Sequence, residues 1–459
     1  MYEMNFNQTG HIYFTGIGGI SMSGLAQILL SKKFRISGSD TKESALTREL
    51  VSLGANINYE QIASNINNSI DVLVYTAAVK QDNPELVAAK ELGIPTLTRA
   101  EFLGQIMKNY DISIGVSGTH GKTTTTSMIS QILLQADTDP TILVGGIMKS
   151  INGNIRVGKS NLMITEACEY TNSFLSFFPT IGIILNVCAD HMDFFNSLDE
   201  IRESFRKYSE LLPENGLLVI NGEIDNLSYF TDGLKCKVVT FGTDSKFDYS
   251  FTNLTYNHFA CGEFDIVYDG NILEHIELKV PGLHNVLNAM AAVATCLEIN
   301  LPVSSIKEGL ALYTGTDRRF QYKGTINGAT VIDDYAHHPD EISATLETTK
   351  TYPHNETWCV FQPHTYSRTK AFLEDFAKAL SIADHIILAP IYAARETDTL
   401  GISSLNLLEE LKKLGADAYH FDTFDEIEQF LLKNILNDDL LITMGAGDVV
   451  LIGENLISK

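Results

Sequence analysis

The chain has 459 residues, of which 57 are acidic and 33 basic, and its net charge is −24 at pH 7. One hydrophobic core rarely extends over this length, so we expect two or three domains. The negative charge would repel a phosphate backbone over most of the surface, which excludes nucleic acid as a general partner. There is no run of about 18 apolar residues and no basic and apolar start typical of a secretory signal. We therefore expect a cytoplasmic protein that does not insert into membranes.

The six cysteines form no CxxC pair and lie mostly within apolar runs. A cysteine-based zinc site or a disulfide framework would place cysteines at short, regular spacings. We therefore expect reduced cysteines that pack in the interior.

Apolar, strand-like runs alternate with amphipathic helical segments along the whole chain. This alternation is typical of parallel β-sheets covered by helices, so the predicted class is α/β. Breaks in the pattern predict three domains, at residues 1–108, 109–313 and 314–459. We expect Rossmann-like first and third domains and a central P-loop-type ATPase domain with a mainly parallel sheet.

The first block opens with HIYFTGIGGISMSG, a strand-like run followed by a glycine-rich turn and a helical pattern. The turn is similar to the dinucleotide fingerprint GxGxxG, except that Ser21 occupies the third glycine position. Asp40 ends the next strand-like run, where a ribose-binding acid would lie. From these residues alone, an NAD-linked oxidoreductase is an open interpretation.

The segment GVSGTHGKTTTTSMISQILL joins a strand, predicted at residues 112–118, to a glycine-containing turn and a helical pattern. Gly118 and Gly121 would let backbone N–H groups wrap an anion, and the helix start adds its positive dipole end. Lys122, expected on a solvent-facing loop, supplies a cation, and Thr123 can ligate Mg²⁺. The strict GxxxxGK[ST] spacing is not met because its first glycine is absent. A glycine-rich helix cap would not explain the lysine and threonine, so we predict a phosphate site.

Two further strand-like runs end in polar segments, LMITEACEY and ILNVCADHMDFF. Glu166 and His191 lie at these ends, where open α/β sheets bind ligands. A carboxylate and an imidazole can hold a divalent ion that neutralises charge on transferring phosphate oxygens. On spacing alone, a surface acid and a core histidine are the favoured explanation of the two residues. Glu169 is the alternative carboxylate.

The segment GLHNVLNAMAAVATCL predicts a helix from Asn285 to Leu297. Asn285 and Asn288 are three residues apart and therefore project from one helix face, toward a common ligand. A helix cap followed by a core-packing alanine face explains the two asparagines equally well.

The third block contains TDRRFQY, VIDDYAHHPDEI and FQPHTYSRTKAF, which place basic and imidazole side chains beside strand-like runs. By themselves, such residues are ordinary features of a solvated surface.

GTHGKTTTT resembles the ATP loop of the Mur ligases, and DHMD, GLHNVLNAMAA and DYAHHP resemble further motifs of that family. The resemblance runs from HIYFTGIGGISMSG to MGAGDV and so covers nearly the whole chain. It implies an enzyme that uses ATP and Mg²⁺ to join L-alanine to the lactyl carboxylate of UDP-N-acetylmuramate through an acyl phosphate, in peptidoglycan precursor synthesis. Addition of a recycled tripeptide to the same sugar nucleotide is the alternative within the family, and both a monomer and a homodimer stay open.

The resemblance also assigns roles to individual residues. The implied catalytic residues are Lys122, Glu166, His191 and His337. The implied metal ligands are Thr123, Glu166 and His191. The implied ATP-binding residues are Gly118, Thr119, His120, Gly121, Lys122, Thr123, Thr124, Asn285, Asn288, Arg319 and Asp334. The UDP-sugar would contact Gly18, Gly19, Ser21, Ser39 and Asp40, and the amino acid would contact Tyr335, His364 and Arg368.

Two other classes of protein give different expectations. A dehydrogenase would bind NAD(P)H at the first glycine-rich turn, but it leaves the second phosphate loop unexplained. A nucleotide-switched interaction module would bind ATP without forming a product. A ligase hydrolyses ATP only when both of its other substrates are present.

Overall fold

The computed structural model describes residues 2–76, 78–192, 194–394 and 396–458. The chain divides into two compact units. The first unit contains residues 1–118, 133–187 and 202–239, and the second contains residues 119–132, 188–201 and 240–459. No helix within the described residues is both long and apolar enough to cross a membrane.

The N-terminal sheet lies in the first unit and has five parallel strands in the order β3-β2-β1-β4-β5. The strands are β1 (His11–Thr15), β2 (Arg35–Ser39), β3 (Asn56–Asn58), β4 (Val72–Tyr75) and β5 (Thr96–Thr98). The helices are α1 (Ile20–Ser31), α2 (Ala45–Ser52), α3 (Pro84–Glu91) and α4 (Arg99–Met107). The strand order reverses between β1 and β4, and such switch points are where open α/β sheets bind ligands.

The central sheet is built around parallel strands in the order β7-β9-β6-β10-β11, with β12 beside β11 and with β8 pairing antiparallel to β7. The strands are β6 (Ile112–Ser117), β7 (Thr141–Met148), β8 (Gly153–Arg156), β9 (Leu162–Glu166), β10 (Ile181–Ile184), β11 (Leu217–Asn221) and β12 (Lys237–Phe241). The helices are α5 (Lys122–Gln135), α6 (Leu198–Glu210) and α7 (Ser228–Thr231). The strand predicted before the phosphate loop is therefore confirmed as β6.

In the second unit, three strands form an antiparallel meander: β13 (Tyr249–Tyr256), β14 (Cys261–Tyr268) and β15 (Asn271–Pro281). Two helices follow, α8 (Leu283–Glu298) and α9 (Val303–Leu312). The helix predicted from Asn285 to Leu297 is confirmed as α8, which extends by two residues at its start and one at its end.

The C-terminal sheet has six strands in the order β16-β17-β21-β18-β19-β20, parallel except for the edge strand β16. The strands are β16 (Gln321–Ile326), β17 (Ala329–Asp334), β18 (Thr357–Phe361), β19 (His385–Leu388), β20 (Asp417–His420) and β21 (Leu440–Met444). The helices are α10 (Pro339–Thr349), α11 (Tyr366–Ala371), α12 (Leu373–Leu380), α13 (Ser404–Lys413), α14 (Phe424–Asn434) and α15 (Val450–Ile457). Alternate residues of β17, β18 and β21 pack on α10, α12 and α13 on one face and on α14 and α15 on the other.

These three sheets confirm the α/β class and the three-domain organisation expected from the alternating pattern. The domain limits at residues 108 and 313 stay predictions. All six cysteines are free, as expected, and four of them are buried, whereas Cys168 and Cys188 are half-buried.

An ion-paired histidine lies at the end of the C-terminal sheet where β19 begins. The His385 ring stacks on the indole of Trp358 at 3.9 Å between centroids. Its Nδ1 lies 2.6 Å from Asp417 Oδ2 and its Nε2 lies 3.0 Å from Glu356 Oε2. Burial lowers the pKa of His385, but the hydrogen bonds to the two carboxylates outweigh burial and raise the pKa above its ordinary value. The histidine therefore stabilises the fold in its charged form.

We expect His385→Asn to destabilise the protein more at pH 6 than at pH 8.5. A histidine whose pKa is raised in the folded state stabilises the fold fully when the pH is below its unfolded-state pKa of about 6.5. This stabilisation is lost as the pH rises through the folded-state pKa. The charge-dependent part should be about 1 kcal/mol. Thermal melts at the two pH values would measure it, with His354→Asn as the control because its partners, Tyr352 O and the Thr357 hydroxyl, are uncharged. An equal loss of Tm at both pH values would contradict this account.

Candidate active site

A cavity of about 700 Å³ opens beside the first glycine-rich turn of the first unit. Gly19 caps α1, so the helix start can offer backbone N–H groups to an anion. Asp40 Oδ2 accepts a hydrogen bond from Gly18 N at 2.7 Å, and Oδ1 accepts one from Thr41 N at 2.7 Å. Gly18, Gly19 and Asp40 line this cavity, which the sequence had predicted to hold a sugar nucleotide. Their contact with that ligand stays a prediction.

Ser39 is oriented differently from the other candidates of this group. Its hydroxyl is buried and donates a hydrogen bond to Glu85 Oε2 at 2.7 Å. Glu85 also accepts from Tyr13, Thr15 and Asn65, so this fully buried carboxylate is satisfied by four donors. This network was not predicted from the sequence. It fixes the strands under the cavity and keeps the Ser39 hydroxyl in the interior.

Glu166 and Ser21 line a second cavity of the first unit, about 170 Å³ in volume, together with Arg99 and Cys168. Glu166 ends β9, and its Oε1 accepts a hydrogen bond from Gly145 N at 2.6 Å. A Cβ at position 145 would lie 2.8 Å from Glu166 Oε2, so a larger residue there would displace the carboxylate. Of the two carboxylates considered as metal ligands, Glu166 lines the cavity, whereas Glu169 is only 1 % exposed.

The phosphate loop links β6 to α5. Gly118 and Gly121 have φ of +143° and +84°, which L side chains rarely adopt, so both turns require glycine. Lys122 was expected on a solvent-facing loop, but it is the half-buried first residue of α5. Its Nζ donates to Thr119 O at 2.9 Å because the lysine folds back over the turn. The loop is therefore preformed around its own lysine.

Asn285 and Asn288 share one face of α8, as predicted. Asn288 Nδ2 donates to Asn285 Oδ1 at 3.2 Å, and Asn285 Nδ2 donates to Pro281 O at 2.7 Å. Thr125 of α5 donates to Asn288 Oδ1 at 3.3 Å. The two amides thus connect α8 to the helix that begins at the phosphate loop, and their contact with adenine stays a prediction.

Glu341, which the sequence had not singled out, lies at the centre of a group that we call the Glu341 cluster: Glu341, His120, Arg319 and His337. Its Oε1 lies 3.2 Å from His120 Nδ1 and 3.7 Å from Arg319 NH1. Its Oε2 lies 3.2 Å from His337 Nδ1 and accepts from His337 N at 3.2 Å. Burial alone would raise the pKa of Glu341. His337 and His120 lower it by more than burial raises it, so the pKa lies well below its usual range. The cluster joins a residue of the phosphate loop to three residues of the C-terminal domain.

The two adjacent arginines of TDRRFQY have different surroundings. Arg318 donates to Asp333 Oδ2 and to the carbonyls of Gly445 and Gly447, which fixes it within the C-terminal domain. Arg319, the residue predicted to bind phosphate, belongs to the Glu341 cluster and lies 5.4 Å from the Tyr335 ring centroid. The structure therefore separates a structural arginine from a candidate ligand-binding one.

Both carboxylate oxygens of Asp334 bind backbone N–H groups. Its two oxygens accept hydrogen bonds from Ala336 N at 2.8 Å and Phe320 N at 2.6 Å. Burial raises the pKa of this carboxyl to about 6, although Arg319 opposes the shift. Asp334 therefore shapes the turn that carries the neighbouring candidates, and its predicted contact with a nucleotide stays a prediction.

A second group, the Asp190 cluster, contains Asp190, His191, His364 and Arg368. Arg368 NH2 lies 3.3 Å from Asp190 Oδ1, and Arg368 NH1 lies 3.4 Å from His364 Nδ1. Burial raises the pKa of Asp190, but the charges of His191 and Arg368 outweigh it and lower the pKa to about 2. Burial lowers the pKa of His364 to about 4, and the ring therefore stays neutral. The His337 and His364 ring centroids are 5.8 Å apart, so the two clusters are neighbours.

His191 has a φ of +54°, and its backbone N–H donates to Asp190 Oδ1 at 2.6 Å. Left-handed geometry is uncommon for a non-glycine residue and concentrates at functional sites. Asp190 was overlooked in the sequence although it is the first acid of DHMD. The last acid of that motif, Asp193, lies outside the described residues.

Comparison with known proteins gives matches to three family models. They describe the Mur ligase family catalytic domain at residues 11–111, the Mur ligase middle domain at 116–296, and the Mur ligase glutamate ligase domain at 318–447. The chain is 57 % identical over 458 residues to the UDP-N-acetylmuramate--L-alanine ligase of Lachnospira eligens, and both chains are fully covered.

Among solved structures, the UDP-N-acetylmuramate-alanine ligase of Thermotoga maritima is 32 % identical, with 98 % of each chain covered and a TM-score of 0.78. A murein peptide ligase from Psychrobacter arcticus, also with 98 % of each chain covered, has a TM-score of 0.68 at 22 % identity. The second likeness shows a shared fold alone.

Proposed function

The chain is a member of the Mur ligase family, and from that premise we infer that it joins L-alanine to UDP-N-acetylmuramate with the use of ATP, in peptidoglycan synthesis. The full-length identity of 57 % to an L-alanine ligase favours the single amino acid over a tripeptide. An oxidoreductase is not supported, because the glycine-rich turn of the first domain belongs to a ligase family. The observation that carries the proposal is the Glu341 cluster, which connects the phosphate loop to the third-domain candidates.

ATP would bind with its phosphates at the loop from Gly118 to Thr124. The start of α5 offers backbone N–H groups and a positive dipole end, and Lys122 can exchange its bond to Thr119 O for a phosphate oxygen. Arg319 is the third-domain cation suited to the same anion, because its planar guanidinium matches phosphate oxygens.

Mg²⁺ is expected with ATP, and we propose Thr123, Glu166 and His191 as its protein ligands. A hydroxyl, a carboxylate and an imidazole can all ligate a divalent cation. Glu166 fits this role because it is ionisable, lines a cavity and keeps Oε2 apart from the Gly145 hydrogen bond. Bound Mg²⁺ would neutralise charge on the triphosphate.

The reaction would proceed in two steps. First, an oxygen of the lactyl carboxylate attacks the γ-phosphorus, the bond to the β-phosphate oxygen breaks, and ADP leaves an acyl phosphate behind. The neutral amine of L-alanine then attacks the acyl carbon, phosphate departs, and the nitrogen loses a proton to form the amide. We propose that Arg368 binds the alanine carboxylate and that His337, close to His364, faces the reacting groups.

The experiment is phosphate release from ATP with UDP-N-acetylmuramate, Mg²⁺ and a panel of L-alanine, glycine, L-serine and a tripeptide. We expect release only when sugar nucleotide and amino acid are both present, and fastest with L-alanine. Mass spectrometry would identify the amide product. Turnover with the tripeptide alone, or ATP hydrolysis that ignores the sugar nucleotide, would refute the proposal.

Gly18→Ala should weaken the binding of UDP-N-acetylmuramate. A Cβ at this position would lie 2.8 Å from Asp40 Oδ2 and 2.8 Å from Thr47 Cγ2, which forces the carboxylate away from the glycine-rich turn. We expect the KM for the sugar nucleotide to rise about ten-fold, the effect of roughly 1.4 kcal/mol of strain. The KM values for ATP and L-alanine serve as internal controls. A rise in all three KM values would point to general damage instead.

A further inference from the structure

His120, His338 and Asp340 lie together in the second unit, and one ligand atom of each lies within 4.8 Å of the others. We propose that these three residues, with the thiol of Cys188, form a binding site for a zinc-class transition-metal ion. The site is separate from the Mg²⁺ ligands proposed above. Nitrogen and sulfur donors favour zinc and related ions over magnesium, which prefers oxygen.

The spacing of the donor atoms is close to that of a metal site. Asp340 Oδ2 lies 4.0 Å from His120 Nε2 and 3.7 Å from His338 Nδ1. Tetrahedral zinc with bonds of about 2.0–2.1 Å holds its nitrogen and oxygen ligands roughly 3.4 Å apart. Asp340 is exposed and is the second residue of α10, so its carboxylate can move to close the remaining gaps of about 0.3–0.6 Å.

His120 is already oriented as a metal ligand. Its Nδ1 lies 3.2 Å from Glu341 Oε1, and an N–H at Nδ1 is required to donate to that ionised carboxylate. In this tautomer Nε2 carries the lone pair, on the side toward Asp340. A carboxylate that fixes the tautomer of a ligating histidine is the usual outer shell of zinc sites.

His338 has a buried ring whose polar atoms are not fully satisfied. It is 3 % exposed, and its Nε2 has no hydrogen-bond partner among the described residues. Its Nδ1, the nitrogen that lies 3.7 Å from Asp340 Oδ2, accepts a bond of 3.3 Å from Asp340 N, and a metal ion bound at Nδ1 would replace this bond. Burial and the neighbouring His120 lower the pKa of His338, so the ring is neutral and able to ligate. A buried polar group without a partner is rare and commonly marks the place of an ion or water.

Cys188 is the candidate for the fourth donor: its Sγ is not among the atoms that lie within 4.8 Å of one another, so it would move toward them when a metal binds. Its thiol interacts with Asp340, and its backbone N–H donates to Thr119 Oγ1 at 2.9 Å, which anchors it beside the phosphate loop. Burial and then Asp340 raise the pKa of the thiol to about 11, so it is protonated at neutral pH. Binding of the metal would release this proton and form a metal–sulfur bond. The four ligands come from three distant segments of the chain. A search for short, regular spacings such as CxxC therefore could not reveal them.

An ion at this site would tie the phosphate loop, through His120, to the start of α10. The loop would then be less able to rearrange around a triphosphate. We expect zinc to inhibit ATP-dependent phosphate release even in the presence of excess Mg²⁺. This consequence, unlike the site itself, rests on the proposed function.

The test is a titration of the full-length, metal-free protein with Co²⁺, which reports its ligands by absorption. We expect about one Co²⁺ per chain in a tetrahedral site, with a thiolate-to-cobalt charge-transfer band that Zn²⁺ abolishes by displacement. Cys188→Ser should remove that band, and Asp340→Asn should weaken Co²⁺ binding at least ten-fold. Cys168→Ser, at the other half-buried cysteine, and Asp375→Asn, at a similarly exposed acid in the first turn of α12, should bind Co²⁺ as the wild type does.

The Co²⁺ absorption spectrum of the wild type shows by itself whether sulfur is a ligand, without any variant. A spectrum without a thiolate band, or one that Cys188→Ser and Asp340→Asn leave unchanged, would overturn the proposal. Zinc sensitivity of phosphate release that is lost in Asp340→Asn would support both the site and its effect on ATP use. Tight Co²⁺ binding without inhibition by zinc would support the site and refute its effect on ATP use. Phosphate release measured without zinc tests the proposed function separately.

Discussion

Lys122→Ala is expected to lower kcat by at least about 10³-fold, equivalent to roughly 4 kcal/mol of transition-state stabilisation. Lys122 begins α5 and is the cation of the phosphate loop, and its ammonium donates to Thr119 O. With ATP bound, we expect the ammonium to neutralise charge on the γ-phosphate as it is transferred. The hydrogen bond to Thr119 O is worth only about 1 kcal/mol, so its loss should leave the fold intact.

Steady-state phosphate release and a thermal melt together measure this effect. Lys413→Ala provides the control, because Lys413 is an exposed lysine on α13 that pairs with nearby Glu410. If the Lys122 variant kept kcat within about ten-fold of the wild type, the lysine would not take part in the transfer. A large loss of Tm would instead mean that the loop needs its lysine in order to fold.

The elements of the site that were predicted from the sequence are those specified by local chemistry. Gly118, Gly121 and Lys122 form a loop in which positive φ requires the two glycines. Such a turn can be recognised from a short segment of sequence. Asn285 and Asn288 were placed on one helix face by their spacing, which the structure confirms. Alternation of strand-like and helical runs was enough to give the α/β class.

The elements that were missed depend on contacts between distant segments. Glu341 gains its role from His120, which is 221 residues away, and Asp190 from Arg368, which is 178 residues away. Neither acid differs by residue type or spacing from an ordinary surface carboxylate. Ser39 is the opposite case: it was singled out in the sequence as a ligand-binding residue, but its hydroxyl points into the interior and donates to Glu85. Side-chain direction at such a position is set by the sheet and by its buried partners.

Arg368 is the residue for which geometry and sequence suggest two distinct roles. As a ligand for the alanine carboxylate, its guanidinium would form charge-assisted hydrogen bonds worth about 1.5–3 kcal/mol. In the structure, however, it also pairs with the buried Asp190, whose Oδ1 accepts the backbone N–H of His191. Removal of Arg368 could therefore act on the amino acid or, through Asp190, on the proposed metal ligand His191.

Arg368→Gln should raise the KM for L-alanine by about 10- to 100-fold, the range that loss of a charge-assisted pair predicts, and should leave the KM for UDP-N-acetylmuramate unchanged. L-alaninamide, which lacks the carboxylate, separates the two roles. The wild type should strongly prefer L-alanine to the amide, and the variant should lose that preference, because only a carboxylate-binding arginine distinguishes them. Asp190→Asn keeps the guanidinium, so it should retain the preference while changing the Mg²⁺ dependence through His191. If Arg368→Gln kept the preference and shifted only the Mg²⁺ dependence, Arg368 would be a positioning residue for the Asp190 cluster, and the alanine carboxylate would have to bind elsewhere.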